Sequence, residues 1–207
     1  MHTEKNPWYN FIQKYGLPNI MWSEKIRDSY LSTPVNTISN IFYIIGGLFI
    51  LNNTNLKLKL YGFNLIFLGI MSGLYHASVS LPFQICDFLG MQFLISTMIG
   101  INLKYSIINI LKLKLMFSLV LIIFIYFKIP MQIIMIISTL IVIITSPIYN
   151  KDFYIVILLL FVAEVFSILD LNNYFKNTKS IIQGHSIWHF ISSISLYYWY
   201  VYIKKLI

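Results

Sequence analysis

Cysteine is almost absent. Cys86 stands alone, so no internal disulfide is possible and nothing in the chain depends on an oxidising compartment. Charge is scarce as well: only 11% of the 207 residues are Asp, Glu, Lys or Arg. A soluble globular domain carries about 25%. With 58% hydrophobic residues and a mean hydropathy of +0.75, this chain has too few polar groups to cover a water-facing surface, which excludes the soluble enzyme classes and points to an integral membrane protein. Acidic residues are the rarest charges, 7 against 15 basic ones, for a net charge of +8. Most of the lysines fall between apolar runs, where they would meet lipid headgroups; a membrane surface is therefore the expected partner and nucleic acid is not. Residues 1–33 contain no apolar h-region, so no cleaved signal peptide is expected and the first membrane helix would do the targeting. Internal repeats are missing too.

What is present is a series of apolar runs bounded by Lys, Pro, Asn and Gly. A bilayer core takes about 20 such residues per helix, and seven runs qualify: about Val35 to Leu51, Leu60 to Ser80, Phe83 to Leu103, Ile107 to Phe127, Pro130 to Ile148, Phe153 to Leu171 and Ile182 to Ile203. Leu81-Pro82 reads as the turn between the second and third. The expected fold is an all-α membrane protein, a seven-transmembrane-helix bundle over residues 34–207, with residues 1–33 as an interfacial N-terminal segment. Seven crossings put the termini on opposite sides. Lys57, Lys59, Lys104, Lys112, Lys114, Lys151, Lys204 and Lys205 outweigh Lys128, Lys176 and Lys179, which favours a cytoplasmic C-terminus; Lys5, Lys14, Lys25 and Arg27 in the tail narrow the margin. Lys112 and Lys114 would snorkel to the interface. Trp199 with Tyr197, Tyr198, Tyr200 and Tyr202 reads as an interfacial aromatic belt.

Ionisable groups inside spans are costly, and each is by default a site hypothesis. They are His76, Asp87, Glu164, Asp170, His185 and His189; the remaining histidine, His2, lies in the tail. Alternating helix directions bring His76, Asp87, Asp170, His185 and His189 into one leaflet, on the side of the N-terminus. Ser72 and His76 are four apart, as are His185 and His189, and residues so spaced share a helix face. Two imidazoles on one face can grip one ion, with His76 as third ligand. Three neutral imidazoles and an open position make a catalytic zinc arrangement, although three nitrogens alone also suit iron, copper or manganese. Bis-histidine haem fits poorly, because axial ligands must oppose each other from different helices. Glu164 reads as a buried, protonated or hydrogen-bonded carboxylate. Asp170 would orient a ligand imidazole or cap its helix. Asn36 and Asn40 share a face and would serve as interhelical polar contacts.

With those residues in view, the chain resembles the alkaline ceramidases and the wider superfamily that joins them to adiponectin-type receptors and GPI-remodelling lipid hydrolases. The matching motifs are Trp22-Ser23-Glu24; Pro34-Val35-Asn36-Thr37-Ile38-Ser39-Asn40; Ser72-Gly73-Leu74-Tyr75-His76; Gln84-Ile85-Cys86-Asp87 with Met91; and His185-Ser186-Ile187-Trp188-His189. The resemblance implies zinc on His76, His185 and His189, active-site roles for Ser72 and Asp87, a lumenal or exterior N-terminus and, in a eukaryotic cell, an endomembrane (ER or Golgi) location. Animal members of this kind bind calcium through an acid-rich segment before the first span. Here Trp22, Glu24 and Asn36 remain as possible remnants, but Thr33 stands at an acidic position and Met21 where an Asp would precede the Trp, which argues against calcium dependence.

The chemistry expected of such a site is metal-assisted amide hydrolysis of a ceramide-like lipid to a sphingoid base and a fatty acid, with no protein partner. Asp87 would be the general base, and Ser72 would donate to the developing oxyanion or to the activated water. A lipid ester would use the same parts. A receptor or scaffold with structural zinc, and a proton-relay transporter, are the competing classes; the latter lacks paired acids in mid-span and an inverted repeat.

Overall fold

A computed structural model describes residues 3–176 and 180–207; His2 and Lys179 lie outside them. Among the described residues the chain is helical and without strands: α1 (Tyr9–Tyr15), α2 (Pro34–Ser39), α3 (Ile41–Leu51), α4 (Leu56–Ser78), α5 (Leu81–Asn102), α6 (Ile107–Tyr126), α7 (Met131–Thr145), α8 (Lys151–Leu171) and α9 (Gly184–Lys204). Local chemistry sets many of these ends. The side chains of Asn55, Ser106 and Asn150 accept a backbone N–H in the first turns of α4, α6 and α8. Pro34 and Pro82 sit in the first turns of α2 and α5, where a missing N–H costs nothing.

Pro82 thus opens α5 and is not loop; the break falls at Val79-Ser80. Val79 adopts φ 50°, a left-handed value rare for a β-branched residue, and returns its N–H to Tyr75 O at 2.6 Å. The first expected span is divided at Asn40. Ser39 Oγ and Asn40 Nδ2 both donate to Asn36 O, at 2.9 and 2.8 Å, so side chains compete for the carbonyl at the joint.

Five segments are long and apolar enough to cross a membrane: Pro34–Leu51 (α2 with α3), α4, α5, α6 and α8. Helix α7 is apolar but only 15 residues long, stopped by Ser146, held extended ahead of Pro147. Helix α9 is 21 residues long, yet its polar residues, among them His185, His189 and Ser192, keep it out of the apolar group.

Helix α4 packs between α3 and α5, α5 carries α6 and α7 behind it, and α9 lies along α8 while also touching α2 and α3. The core includes Tyr43, Ile50, Tyr61, Leu65, Trp199 and Tyr202. Trp199 and Tyr202 are therefore interior residues and not part of an aromatic belt; Tyr197 and Tyr198 are the exposed ones. Lys114 does not snorkel either. It is buried, with Nζ donating to Asn64 Oδ1 at 2.8 Å.

Candidate metal centre

Helix α4 carries Ser72 and His76 one turn apart, and α9 carries His185 and His189 in the same relation. Because α9 also leans on α2 and α3, the two helices present these faces to each other. One ligand nitrogen from each of His76, His185 and His189 falls within 4.8 Å of the others, and all three rings are buried. His76 Nε2 and His185 Nε2 are 3.1 Å apart. His185 Nδ1 and His189 Nε2 have no hydrogen-bond partner. Buried polar atoms are almost always paired, so unpartnered nitrogens within a buried group of three imidazoles fit a bound cation.

The tautomer of His189 follows from its neighbours. Ser39 Oγ lies 2.9 Å from Asn36 O and 2.7 Å from His189 Nδ1; with its single proton assigned to Asn36 O, it accepts from Nδ1–H. The lone pair is then on Nε2, the orphaned nitrogen. Tyr43 backs the same ring edge-on at 5.9 Å while its hydroxyl meets Ser192 Oγ at 2.6 Å. His76 is placed through its main chain, whose carbonyl accepts from Thr33 N (3.2 Å) and Thr33 Oγ1 (2.7 Å). His185 lies between two indoles, Trp22 stacked on it at 3.4 Å between centroids and Trp188 nearly parallel at 5.2 Å.

The N-terminal segment is tied down around Trp22. Ser23 N and Oγ donate to the two Asp170 oxygens at 2.9 and 2.7 Å. Asp170 thus holds the segment that carries Trp22, and no hydrogen bond runs from it to a ligand imidazole. Glu24 accepts from Val35 N at 2.9 Å and Asn36 N at 2.8 Å and so caps α2. Burial pushes the Glu24 carboxyl above its ordinary range, while those N–H groups pull the other way. The Asn36 amide is fully buried on the same turn, and its side-chain atoms make no hydrogen bond.

Asp87 is buried at the start of α5, in the neighbourhood of Ser72, and stands outside the three-histidine group. A small cleft lined by Met21, Trp22, Glu24, Thr33, Tyr75 and His76 leads in beside the N-terminal segment. Glu164 is exposed, not buried: it lies on the outer face of α8 and accepts from Trp188 Nε1 at 3.0 Å. Sequence reasoning missed Ser39, Tyr43 and Ser192 as supports of His189. Only Ser39 carried a signal, inside the segment from Pro34 to Asn40.

A family model described as Ceramidase matches residues 22–181. That stretch holds Trp22, Ser72, His76 and Asp87 but stops short of His185 and His189, which reach the site through the packing of α9. No curated protein matches the chain.

Proposed function

Because this chain belongs to the ceramidase family, we propose that it is a membrane-embedded, zinc-dependent lipid amide hydrolase that cleaves the N-acyl bond of ceramide. Family membership supports a hydrolase acting on a lipid in a membrane setting. The observation that carries the finer reading is the buried meeting of three imidazoles, with Ser72 one turn from His76 and a buried carboxyl group, Asp87, nearby.

His76, His185 and His189 would hold the metal, and the all-nitrogen donor set, without a thiolate, suits zinc. When bound, zinc supplies a Lewis acid that polarises a carbonyl and makes water more acidic. The remaining chemistry belongs to the chain. Asp87 takes a proton from the attacking water and delivers it to the nitrogen of the breaking C–N bond, so that water's hydroxyl ends on the fatty acid and its proton on the sphingoid base. Ser72 steadies the Asp87 carboxyl and is our assignment for the hydrogen bond to the developing oxyanion. Ser39 holds His189 in the tautomer that leaves Nε2 free. Trp22 covers His185 and shields the site from bulk water. Glu24 spends both oxygens on the α2 backbone, which favours a site that works without calcium.

The proposed topology has seven crossings, residues 1–33 capping the bundle on the lumenal side, the site in that leaflet, and a cytoplasmic C-terminus, in an ER or Golgi membrane of a eukaryotic cell.

Purified protein in lipid nanodiscs should retain about one zinc per chain and release fatty acid from a fluorescent ceramide. His76→Ala and His189→Ala should lose both metal and turnover. Asp87→Asn should keep the metal and slow turnover by at least about a hundredfold. Zinc retained by a wild-type protein that hydrolyses neither ceramides nor lipid esters would replace this reading with that of a receptor.

A further inference from the structure

Helix α8 turns an apolar stripe outward, with Phe161, Val165 and Ile168 all exposed, and Glu164 stands in the middle of it. A carboxyl group on a lipid-facing surface is expensive, at about 3 kcal/mol for an acid near mid-helix, and such groups are retained where they mark a substrate path. Glu164 lies seven residues from the end of α8 at Leu171, roughly 10 Å along the axis, and so below the level at which the N-terminal segment meets Asp170. One of its oxygens, Oε2, accepts from Trp188 Nε1 at 3.0 Å. The other, Oε1, has no partner among the described residues. Trp188 in turn lies parallel to His185, 5.2 Å between ring centroids and 7° between planes. A single indole therefore separates an outward-facing acceptor from a candidate metal ligand.

We propose that Glu164 is a substrate-recognition residue: with Trp188 it forms a lateral mouth between α8 and α9 that takes an N-acyl amino-alcohol lipid straight from the bilayer by accepting its headgroup hydroxyl. The chemistry is specific. A carboxyl oxygen in an apolar surround accepts from a hydroxyl and gains nothing from a lipid that lacks one, and the discrimination is large because an unmet donor or acceptor there has no water to turn to. The apolar residues on either side of Glu164 suit the alkyl chains of the same lipid, which would run along α8 while the headgroup hydroxyl displaces Trp188 Nε1 from the carboxyl and so opens the α8–α9 seam to the amide. Lateral entry also separates routes, since the cleft beside the N-terminal segment is lined by His76 and by no residue of α8 or α9, and is left for water.

This inference rests on the hydrolase reading for its substrate, and its test is arranged to separate the two. The full chain in phosphatidylcholine nanodiscs is given ceramide and its 1-deoxy analogue, in turnover assays and with a ceramide that carries a diazirine beside its headgroup. Wild type should prefer ceramide over the 1-deoxy lipid by about tenfold or more in kcat/KM and take the photolabel on α8 or α9. Glu164→Leu should raise KM for ceramide by a similar factor with kcat held within about twofold, erase the preference, lose most of the label, and keep its zinc. Glu164→Gln, which still accepts from Trp188, should fall between them and covers the case in which the Leu variant does not fold. Turnover with no preference between the two lipids, or an unchanged KM and label in both variants, rejects the mouth while leaving the hydrolase in place. Labelling at α8 or α9 that depends on Glu164, in a protein without turnover, supports the mouth and rejects the hydrolase.

Discussion

Ser39 shows how much one hydroxyl decides. With its proton assigned to Asn36 O, it accepts from His189 Nδ1 at 2.7 Å and so leaves the lone pair of that ring on Nε2. Partners of this kind orient a ligand ring, and their loss costs a metal site about 10- to 100-fold in affinity. Ser39→Ala should therefore bind zinc about 10- to 100-fold more weakly in competition with a calibrated chelator, with the helices intact by circular dichroism. Ser39→Thr keeps the hydroxyl and should recover most of that affinity. Wild-type affinity in Ser39→Ala would mean that Tyr43 and the packing around it orient the ring by themselves. The same hydroxyl helps to divide α2 from α3, so the joint at Asn40 and the orientation of His189 have a common origin.

At the scale of elements, polar contacts join helices that apolar packing alone would leave free to slide. Helices α8 and α9 run antiparallel, and their contacts step along the pair in order: Asp170 against Gly184, Glu164 against Trp188, Val156 O against Ser195 Oγ, and Asp152 against Lys205. Glycines allow a closer approach elsewhere. A Cβ on Gly47 of α3 would lie 2.6 Å from Gly62 O and from Ile66 Cγ1 of α4, so the backbone itself blocks any relief. Gly47→Ala should cost about 1–3 kcal/mol, seen as a lower thermal midpoint in detergent with the zinc content of surviving protein unchanged; an unshifted midpoint would show that α3 can back away freely. Helices α4, α5 and α6 meet at a different device: Lys114 Nζ donates to Asn64 Oδ1 at 2.8 Å, and Asn64 Nδ2 donates to Thr97 Oγ1 at 2.8 Å. No carboxylate accompanies the ammonium among the described residues. Removing its acceptor strands a buried charge, so Asn64→Leu should destabilise by about 2 kcal/mol or more. Adding Lys114→Met should restore most of the loss, because both polar partners are then gone. A double variant as unstable as Asn64→Leu would place the damage in packing and not in the amine.

For the whole molecule, what the sequence disclosed follows from the rarity of polar groups in an apolar chain. Three histidines inside apolar runs could be brought together at one end of the helices by counting helix directions, and Pro, Asn and Gly marked most helix ends to within a few residues. Facing was much harder to read. When lipid and protein interior are both apolar, a helix carries no apolar stripe to distinguish them, which is why Trp199 and Tyr202 read as belt residues, Lys114 as snorkelling and Glu164 as buried. The N-terminal segment was the least legible part, since its position depends on partners far away in the chain. Asn19 N donates to Gln84 Oε1, Ile20 O accepts from Tyr75, Ser23 donates twice to Asp170, and Ser32 N donates to Ala77 O. These bonds fasten the segment to α4, α5 and α8 and set Trp22 flat on His185. If that fastening retains the metal, Asp170→Ala and Trp22→Ala act on one event: each should speed zinc release to an added chelator by about tenfold, the worth of one charge-assisted hydrogen bond. The double variant should release no faster than the quicker single one, because removing the indole leaves Asp170 with nothing to hold in place. Rates that multiply in the double variant would mean that Asp170 and Trp22 guard the metal independently, and that the N-terminal segment is not the closure of the site.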